Sequence, residues 1–202
     1  MSRSKDIRST RDKILETALK LFSQKGYLGA TTKEIAKESG IAEVTLFRHF
    51  PSKEKLFEEV INTYSFLPAL KELMPEIARM SYEKALAEIA KRFLETLSSR
   101  KDLIQIMHSE IQRYPEKIHK IYHAFIDELF KILASYFNEM QKRKILKGFD
   151  TEFGARAFLG MFFSYFNVHE MMMHKKYRHI DKDTTIKEFV KIFVGGTKGE
   201  DT

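Results

Sequence analysis

Residues 31–50 read TTKEIAKESGIAEVTLFRHF and decide the fold of the first part of the chain. The pattern predicts a short helix over 32–39, which Thr31 and the glutamate three positions later begin as a capping box. A second short helix is predicted over 42–50. Gly40 lies in the turn between them, where a positive φ favours glycine. Two short helices joined by such a turn predict a helix-turn-helix.

A small apolar core supports this interpretation. Ile35 and Ala36 of the first helix are expected to pack against Leu46 of the second, and the small alanine permits a close crossing. Ile41 and Phe50 complete the core on the same side. A preceding helix over 10–25 adds its own apolar stripe, formed by Ile14, Ala18 and Phe22.

The rest of the chain also has helical rather than alternating periodicity, without repeats or a credible strand pair. Gly26 is expected to end the first helix, Asp150 and Thr184 to cap later ones, and the glycine-rich tail 195–199 to fray. The further helices are predicted over 52–66, 72–80, 82–99, 102–113, 115–144, 151–173 and 185–194. The sequence therefore predicts an all-α fold, with a helix-turn-helix domain over 1–55 and a helical domain over 56–202.

Composition and charge narrow the function classes. The 202 residues carry a net charge of +7 and no cysteine, which excludes disulfides and thiolate metal sites. Most of the net positive charge, +5 of the total +7, falls within residues 1–55, as expected for a surface that binds a polyanion. Neither a signal peptide nor a membrane span is apparent, so we expect a cytoplasmic protein with no membrane partner.

Residues 26–56, GYLGATTKEIAKESGIAEVTLFRHFPSKEKL, resemble the N-terminal DNA-binding domain of the TetR family of transcriptional regulators. The shared features are the Gly-Tyr turn, Thr-Thr before the second helix, Ile-Ala then Gly-Ile, Leu-Phe-Arg-His-Phe and Ser-Lys-Glu-Lys-Leu. The resemblance implies a homodimer that binds double-stranded operator DNA. It also implies a small-molecule effector held in the helical domain and, by the family's habit, repression.

In such a fold the third helix enters the major groove, where base edges present distinguishable donors and acceptors. Its expected outward face carries four candidate base-reading residues: Glu43, Val44, Thr45 and Arg48. Arg48 suits guanine, Glu43 suits the amino group of cytosine, and Val44 and Thr45 suit the thymine methyl group.

Contacts to the DNA backbone are expected from the start of the second helix, whose free N–H groups can hold a phosphate. The resemblance adds further contacts from the third helix and the residues after it. The candidate backbone contacts are Thr31, Thr32, Lys33, Phe47, His49 and Lys53, with Arg3, Lys5 and Arg8 of the N-terminal arm in support. The family usually has tyrosine at the position of Phe47 and a small residue at that of Val44, so the operator sequence is left open.

The helix predicted over 151–173 is apolar around most of its circumference, so more than one of its faces must be covered. The resemblance implies that it forms a four-helix dimer interface with the last helix of the chain. Gly154 and Gly160 would permit close approach. The candidate interface residues are Phe158, Phe162, Tyr165, Ile186, Phe189 and Phe193.

The helices after Pro68 are rich in phenylalanine, methionine and tyrosine, which either fill a core or line an apolar cavity. The candidate pocket residues are Phe93, Leu97, Met107, His108, Ile111, Tyr122, Phe125, Met161, Phe163 and Asn167. Their apolar character favours a lipophilic effector such as an acyl chain, an aromatic compound or a drug.

Other classes of function have weaker support. The sequence contains no glycine-rich phosphate loop, Cys/His cluster or serine nucleophile elbow, so we expect neither an enzyme nor a bound cofactor. His119 and His123 lie one helical turn apart, as two metal ligands do, but we favour the interpretation that they are ordinary histidines at the boundary of the apolar stripe. The remaining alternatives are a helical metal-binding protein and a module that binds nucleic acid without sequence preference.

Overall fold

The computed structural model describes residues 9–109, 115–172 and 181–199, without the side chains of residues 107–109. The described chain is all-α, apart from one isolated antiparallel bridge between Leu146 and Lys198. Its α-helices are α1 (Thr10–Gly29), α2 (Thr32–Glu38), α3 (Glu43–His49), α4 (Lys53–Tyr64), α5 (Phe66–Ile77), α6 (Tyr82–Ser99), α7 (Lys101–Ser109), α8 (Glu116–Lys142), α9 (Thr151–Phe166) and α10 (Lys182–Thr197). A π-helical segment, Asn167–Met172, continues α9.

Several predicted helix ends are confirmed. Gly26 has φ 69° and interrupts α1 where the first helix was predicted to stop. The Thr31 hydroxyl accepts from the N–H of Glu34 while the Glu34 carboxylate accepts from the N–H of Thr31, so the predicted capping box is present. Asp150 caps α9 by accepting from two backbone N–H groups.

The boundary around Pro68 was predicted wrongly. Helix α5 begins at Phe66 and places Pro68 in its first turn, whereas the sequence suggested that this proline lies between helices. A proline in the first turn sacrifices no intrahelical hydrogen bond, so it is compatible with a helix start. The Ser65 hydroxyl accepts from the N–H of Leu67 and caps the helix.

The last helix also differs from its prediction. Asp181 rather than Thr184 caps α10, accepting from the N–H of Thr184 at 2.9 Å, and the Thr185 hydroxyl lies inside the helix and donates to the Asp181 carbonyl. The tail after it is tied down rather than frayed. The N–H of Gly199 donates to the carbonyl of Ile145 at 3.0 Å, and the N–H of Lys147 donates to the carbonyl of Thr197 at 3.1 Å.

The described residues fall into two compact units. The first contains the described parts of 1–64 and 102–123. Its core forms where α1 packs on α2 and α4, and where the Phe57 ring meets the rings of Phe22 and Tyr27 at centroid distances of 5.1 Å. The predicted domain boundary after residue 55 falls within α4, whose apolar face is buried in this unit.

The second unit contains the described parts of 65–101 and 124–202. Helix α6 packs on α5, α9 and α10, and an aromatic core lies among them. Phe158 is fully buried, with its ring 5.2 Å from that of Phe162 and 5.1 Å from that of Phe193. Among the described helices, none combines the length and apolar character that a membrane crossing needs.

Candidate nucleic-acid interface

The pair formed by α2 and α3 is held by its turn and its buried face. Gly40 has φ 72°, and the N–H of Ile41 donates to the carbonyl of Ala36 at 3.0 Å, which ends α2 and directs the chain into α3. Ile35 and Leu46 are fully buried, as is Phe50 at the end of α3. The two helices pack on each other as the sequence predicted.

With one face of α3 buried, its opposite face lies open to solvent. Val44 is 62% exposed and Phe47 is 42% exposed, so this face presents two apolar side chains to solvent. Arg48 and His49 are exposed, while Glu43 and Thr45 are half-buried. Of the four candidate base-reading residues, Val44 and Arg48 are therefore exposed on α3, while Glu43 and Thr45 are only partly accessible.

Glu43 is already engaged within the protein. Its Oε1 accepts a hydrogen bond of 2.7 Å from the hydroxyl of Thr32, at the start of α2. Both side chains are half-buried. This bond joins the first residues of the two helices, and sequence reasoning did not identify it.

The start of α2 carries the other candidate backbone contacts. Thr31 and Lys33 are exposed, and Thr32 is half-buried. Glu34 forms an ion pair of 3.0 Å with Lys25, and this bond together with those from Thr31 lowers the pKa of the Glu34 carboxyl.

Lys53 lies at the start of α4, with its ammonium 4.4 Å above the ring of Tyr27. Its burial lowers the pKa of the Lys53 ammonium. Burial, together with the neighbouring charge and hydrogen bond of Glu54, raises the pKa of Tyr27 to about 12. The candidate phosphate contact at Lys53 therefore rests on an aromatic ring, an arrangement that the order of residues alone does not reveal.

Arg11 on α1 also places its cationic group near an aromatic ring of this unit. Its guanidinium pairs with the carboxylate of Glu59 and lies 5.3 Å from the centroid of the Phe50 ring. It therefore joins α1 to α4 and lies over Phe50, the buried residue that follows α3. This arginine contributes to the positive charge of the region, but its side chain is used inside the unit.

The candidate pocket residues differ in burial, and some lie outside the described residues. Phe93, Leu97 and Phe125 are buried and Met161, Phe163 and Asn167 half-buried in the second unit, while Tyr122 is buried in the first. Ile111 and the side chains of Met107 and His108 lie outside the described residues. A surface groove between α6 and α10 of the second unit involves none of these candidates and is lined in part by Met80, Ala87, Ile186 and Val190.

Asn167 stands out among them because it begins the π-helical segment. Its Oδ1 is buried and has no hydrogen-bond partner in the part of the chain that the structure describes. Nearby in sequence, Glu170 accepts from Ser98 at 3.1 Å and pairs with Lys101 at 2.9 Å. Short π-helical segments often mark functional sites. Because the partners of Glu170 lie some 70 positions away in sequence, spacing could not have indicated them.

The candidate dimer residues differ in how far their own chain covers them. Phe158 and Phe162 are fully buried in the second unit, and Ile186 and Phe193 are each only 8% exposed, because the rings of α9 and α10 pack on each other. These four side chains therefore leave little surface for a partner to contact. Tyr165 and Phe189 are half-buried, and the Tyr165 ring stacks on that of His169 at 4.6 Å.

The large apolar side chains that these two helices expose are Phe153, 72% exposed, and Ile192, 64% exposed.

The two glycines of α9 differ in the space around them. A Cβ on Gly154 would come within 2.5 Å of the Phe149 ring, so this glycine serves internal packing. Gly160 is exposed, with nothing within 4 Å of such a Cβ.

The possible metal ligands His119 and His123 both lie on α8, half-buried and exposed respectively. Over the described residues, no group of three or more histidine, cysteine, aspartate or glutamate side chains is arranged to hold a metal ion.

Comparisons with known proteins agree with this geometry. A family model described as bacterial regulatory proteins, tetR family, matches residues 14–60, and one described as AefR-like transcriptional repressor, C-terminal domain, matches residues 84–196. The HTH-type transcriptional regulator YvkB of Bacillus subtilis (strain 168) is 26% identical over 194 residues, covering 96% of this chain and 100% of the relative.

Solved structures show the same fold. A putative TetR-family regulator from Mesorhizobium loti has a TM-score of 0.75 at 21% identity, covering 98% of this chain and 100% of its own. The transcriptional regulator FadR from Bacillus subtilis, solved in complex with stearoyl-CoA, has a TM-score of 0.72 at 17% identity, covering 91% of this chain and 97% of its own.

Proposed function

Because this chain belongs to the TetR family of bacterial regulatory proteins, we propose that it binds a palindromic operator as a homodimer and represses transcription until an effector releases it. The observation that carries the proposal is that α3 has one buried face and one solvent-exposed face. Its inner face is buried through Leu46, while Val44 and Arg48 on the outer face reach solvent. Such a regulator acts in the cytoplasm, where the bacterial chromosome lies.

The outer face of α3 has the chemistry for reading base pairs. Arg48 offers a bidentate donor to guanine, and the methyl groups of Val44 and Thr45 suit the methyl group of thymine. Lys33 near the start of α2 and His49 at the end of α3 are exposed and suit phosphate contacts, which position a protein without selecting sequence.

The test begins with duplexes that the wild-type protein selects from a randomised library. Binding is then measured by fluorescence anisotropy between 50 and 200 mM salt, with a scrambled duplex as control. We expect the selected duplex to bind at least about 10³-fold more tightly, and affinity to fall steeply with salt because counterions are released. Equal affinity for both duplexes would instead support a module that binds nucleic acid without sequence preference.

Dimerisation is proposed through the exposed faces of α9 and α10. Ile192 on α10 and Phe153 on α9 leave large apolar surfaces in water, and Gly160 allows a partner helix to approach closely. Twofold symmetry would place two copies of α3 about 34–36 Å apart, matching a palindrome. In sedimentation we expect a dimer for the wild type and a monomer for Ile192→Glu. Met80→Glu, which charges an exposed methionine in the turn before α6, is the matched control and should remain dimeric.

The effector is proposed to be lipophilic with a polar group, such as an acyl thioester of coenzyme A. FadR, which shares the fold, was solved with stearoyl-CoA. In this chain the buried Oδ1 of Asn167 would accept a hydrogen bond, and an unsatisfied buried acceptor costs about 1–3 kcal/mol. A ligand that donates to this oxygen would recover that cost.

The effector test measures operator affinity with and without stearoyl-CoA, using coenzyme A and stearate as controls. Release requires that the ligand bind the DNA-free conformation more tightly than the DNA-bound one. We expect stearoyl-CoA to weaken operator binding and Asn167→Leu to reduce this response. If none of a panel of acyl-CoAs, aromatic compounds and drugs changes operator affinity, the effector part of the proposal is wrong.

A further inference from the structure

The strongest unassigned feature of the helix-turn-helix is the hydrogen bond between Thr32 and Glu43. The two atoms are 2.7 Å apart, and the bond joins the first turn of α2 to the first residue of α3. Ala42, which precedes α3, makes no side-chain cap. A carboxylate at the start of a helix also interacts favourably with the helix dipole. Glu43 therefore stabilises the beginning of α3 and fixes it to α2.

This bond restricts what either residue can offer to DNA. A threonine hydroxyl has a single hydrogen, so while it donates to Glu43 it cannot donate to a phosphate. The Glu43 carboxylate in turn uses one of its oxygens to accept from Thr32. Because both side chains are half-buried, neither extends far from the protein surface toward DNA. A carboxylate close to DNA phosphates also adds repulsion, which disfavours binding that lacks compensating base contacts.

We propose that Glu43 is a positioning residue for operator recognition: by accepting from Thr32, it holds α3 at one angle so that Val44, Thr45 and Arg48 meet their base pairs together. This inference rests on the proposed function and deepens it. It departs from the sequence-based expectation that Glu43 itself reads a cytosine. Discrimination between operator and random DNA should then depend on the bond and not on the identity of one base pair opposite Glu43.

The experiment uses the full chain and measures affinity for the selected duplex and for a scrambled duplex. Thr32→Val and Glu43→Ala each remove the bond, and we expect each to lower the ratio of the two affinities about tenfold. The double variant should be no worse than either single variant, because both remove the same interaction. Thr32→Ser and Glu43→Gln retain a donor and an acceptor and should keep most of the discrimination.

Two controls separate this effect from charge and from stability. Glu38→Gln removes a negative charge at the end of α2, where Glu38 pairs only loosely with Lys20 at 3.6 Å, and should leave the ratio unchanged. Thermal unfolding of every variant shows whether the protein remains folded at the assay temperature. Thr32→Val is nearly isosteric, so it provides the test if Glu43→Ala is unstable.

A second readout replaces each operator base pair in turn. If Glu43→Gln shifts the preference at one position while Thr32→Val keeps full discrimination, Glu43 reads a base directly and the proposal is wrong. Additive losses in the double variant, or unchanged ratios in Thr32→Val and Glu43→Ala, also overturn it. In those cases the wild type still discriminates, so the proposed function survives. If the wild type binds both duplexes equally, both the proposed function and this inference are wrong.

Discussion

The ring of Tyr122 on α8 meets the ring of Phe57 on α4 edge-on, with the two centroids 5.7 Å apart. Phe57 also contacts Tyr27 and Phe22, so four rings from three helices form one cluster in the first unit. Tyr122 was a candidate pocket residue, and α4 packs on α1 next to the helix-turn-helix. The cluster therefore offers a physical route by which a change at α8 reaches α4.

The energy of this ring pair can be measured directly. We expect Phe57→Leu and Tyr122→Leu to be coupled by about 0.5–1.5 kcal/mol in a double-mutant cycle of unfolding free energies, because edge-to-face rings attract beyond their burial. Chemical denaturation gives the four values. Tyr122→Phe retains the ring and should retain the coupling. Purely additive losses would show that the two rings pack independently.

Truncation of Arg48 and truncation of Lys33 should change DNA binding in different ways. Arg48→Ala removes a proposed base contact, so discrimination between the selected and scrambled duplexes should fall by about 1–3 kcal/mol with little change in affinity for the scrambled duplex. Lys33→Ala removes a proposed phosphate contact, so it should weaken both complexes similarly and reduce the salt slope by about 1. The reverse pattern would mean that these two side chains have been assigned the wrong targets.

Gly154 should be intolerant of even one methyl group. A Cβ there would lie 2.5 Å from the Phe149 ring, so the ring or the backbone of α9 must move. We expect Gly154→Ala to lower the free energy of unfolding by about 1–3 kcal/mol, as overpacking usually does. Gly195→Ala in α10 is the control, since nothing lies within 4 Å of its added Cβ and alanine favours helices by up to about 1 kcal/mol. Equal effects at both positions would contradict the packing described for Gly154.

The ion pair of Glu170 should make stability depend on pH. Burial alone raises the pKa of this carboxyl, but the hydrogen bonds from Lys101 and Ser98 outweigh that effect and hold the pKa below its ordinary value of 4.5. A lowered pKa means that the stabilisation is complete above the unfolded value and is lost as pH falls through the folded value. Glu170→Gln should therefore lower the Tm at pH 7 by about 2–4 °C at most, with the difference shrinking near pH 3.

Glu116→Gln is the control for this pH series. Glu116 pairs with Lys120 at 2.8 Å on the surface of α8, but both side chains are more than 70% exposed, so the pair should contribute little. A difference in Tm between wild type and Glu170→Gln that persists unchanged at pH 3 would mean that the stabilisation does not come from the charge of Glu170.

The helix-turn-helix was predictable because its signals are local. The glycine at position 40, the Thr31 capping box and the alternation of buried Leu46 with exposed Val44 all act within one or two helical turns. Local rules failed where one residue suits two different positions, or where two residues suit the same position. Pro68 both breaks a helix and suits a helix start, and Thr184 is a good cap only when a better one, Asp181, does not precede it.

The candidate contacts of the second unit were harder to predict because burial there depends on tertiary packing. Phe158 and Phe153 are both apolar residues of one helix, yet one is fully buried and the other is 72% exposed. Periodicity shows that a helix is apolar on several sides, but it does not show which side its own chain covers. The bond between Thr32 and Glu43 was missed for a similar reason, since 11 positions of sequence separate its partners.

The hydrogen bonds that hold the end of α10 and Gly199 to Ile145 and Lys147 have a practical consequence for truncated or tagged forms of this protein. Cutting the chain after residue 194 would remove the N–H of Gly199 and the carbonyl of Thr197, leaving the carbonyl of Ile145 and the N–H of Lys147 without these partners in the connection from α8 to α9. Truncated versions should therefore keep residues 195–199, and a label is best joined after them through a flexible spacer.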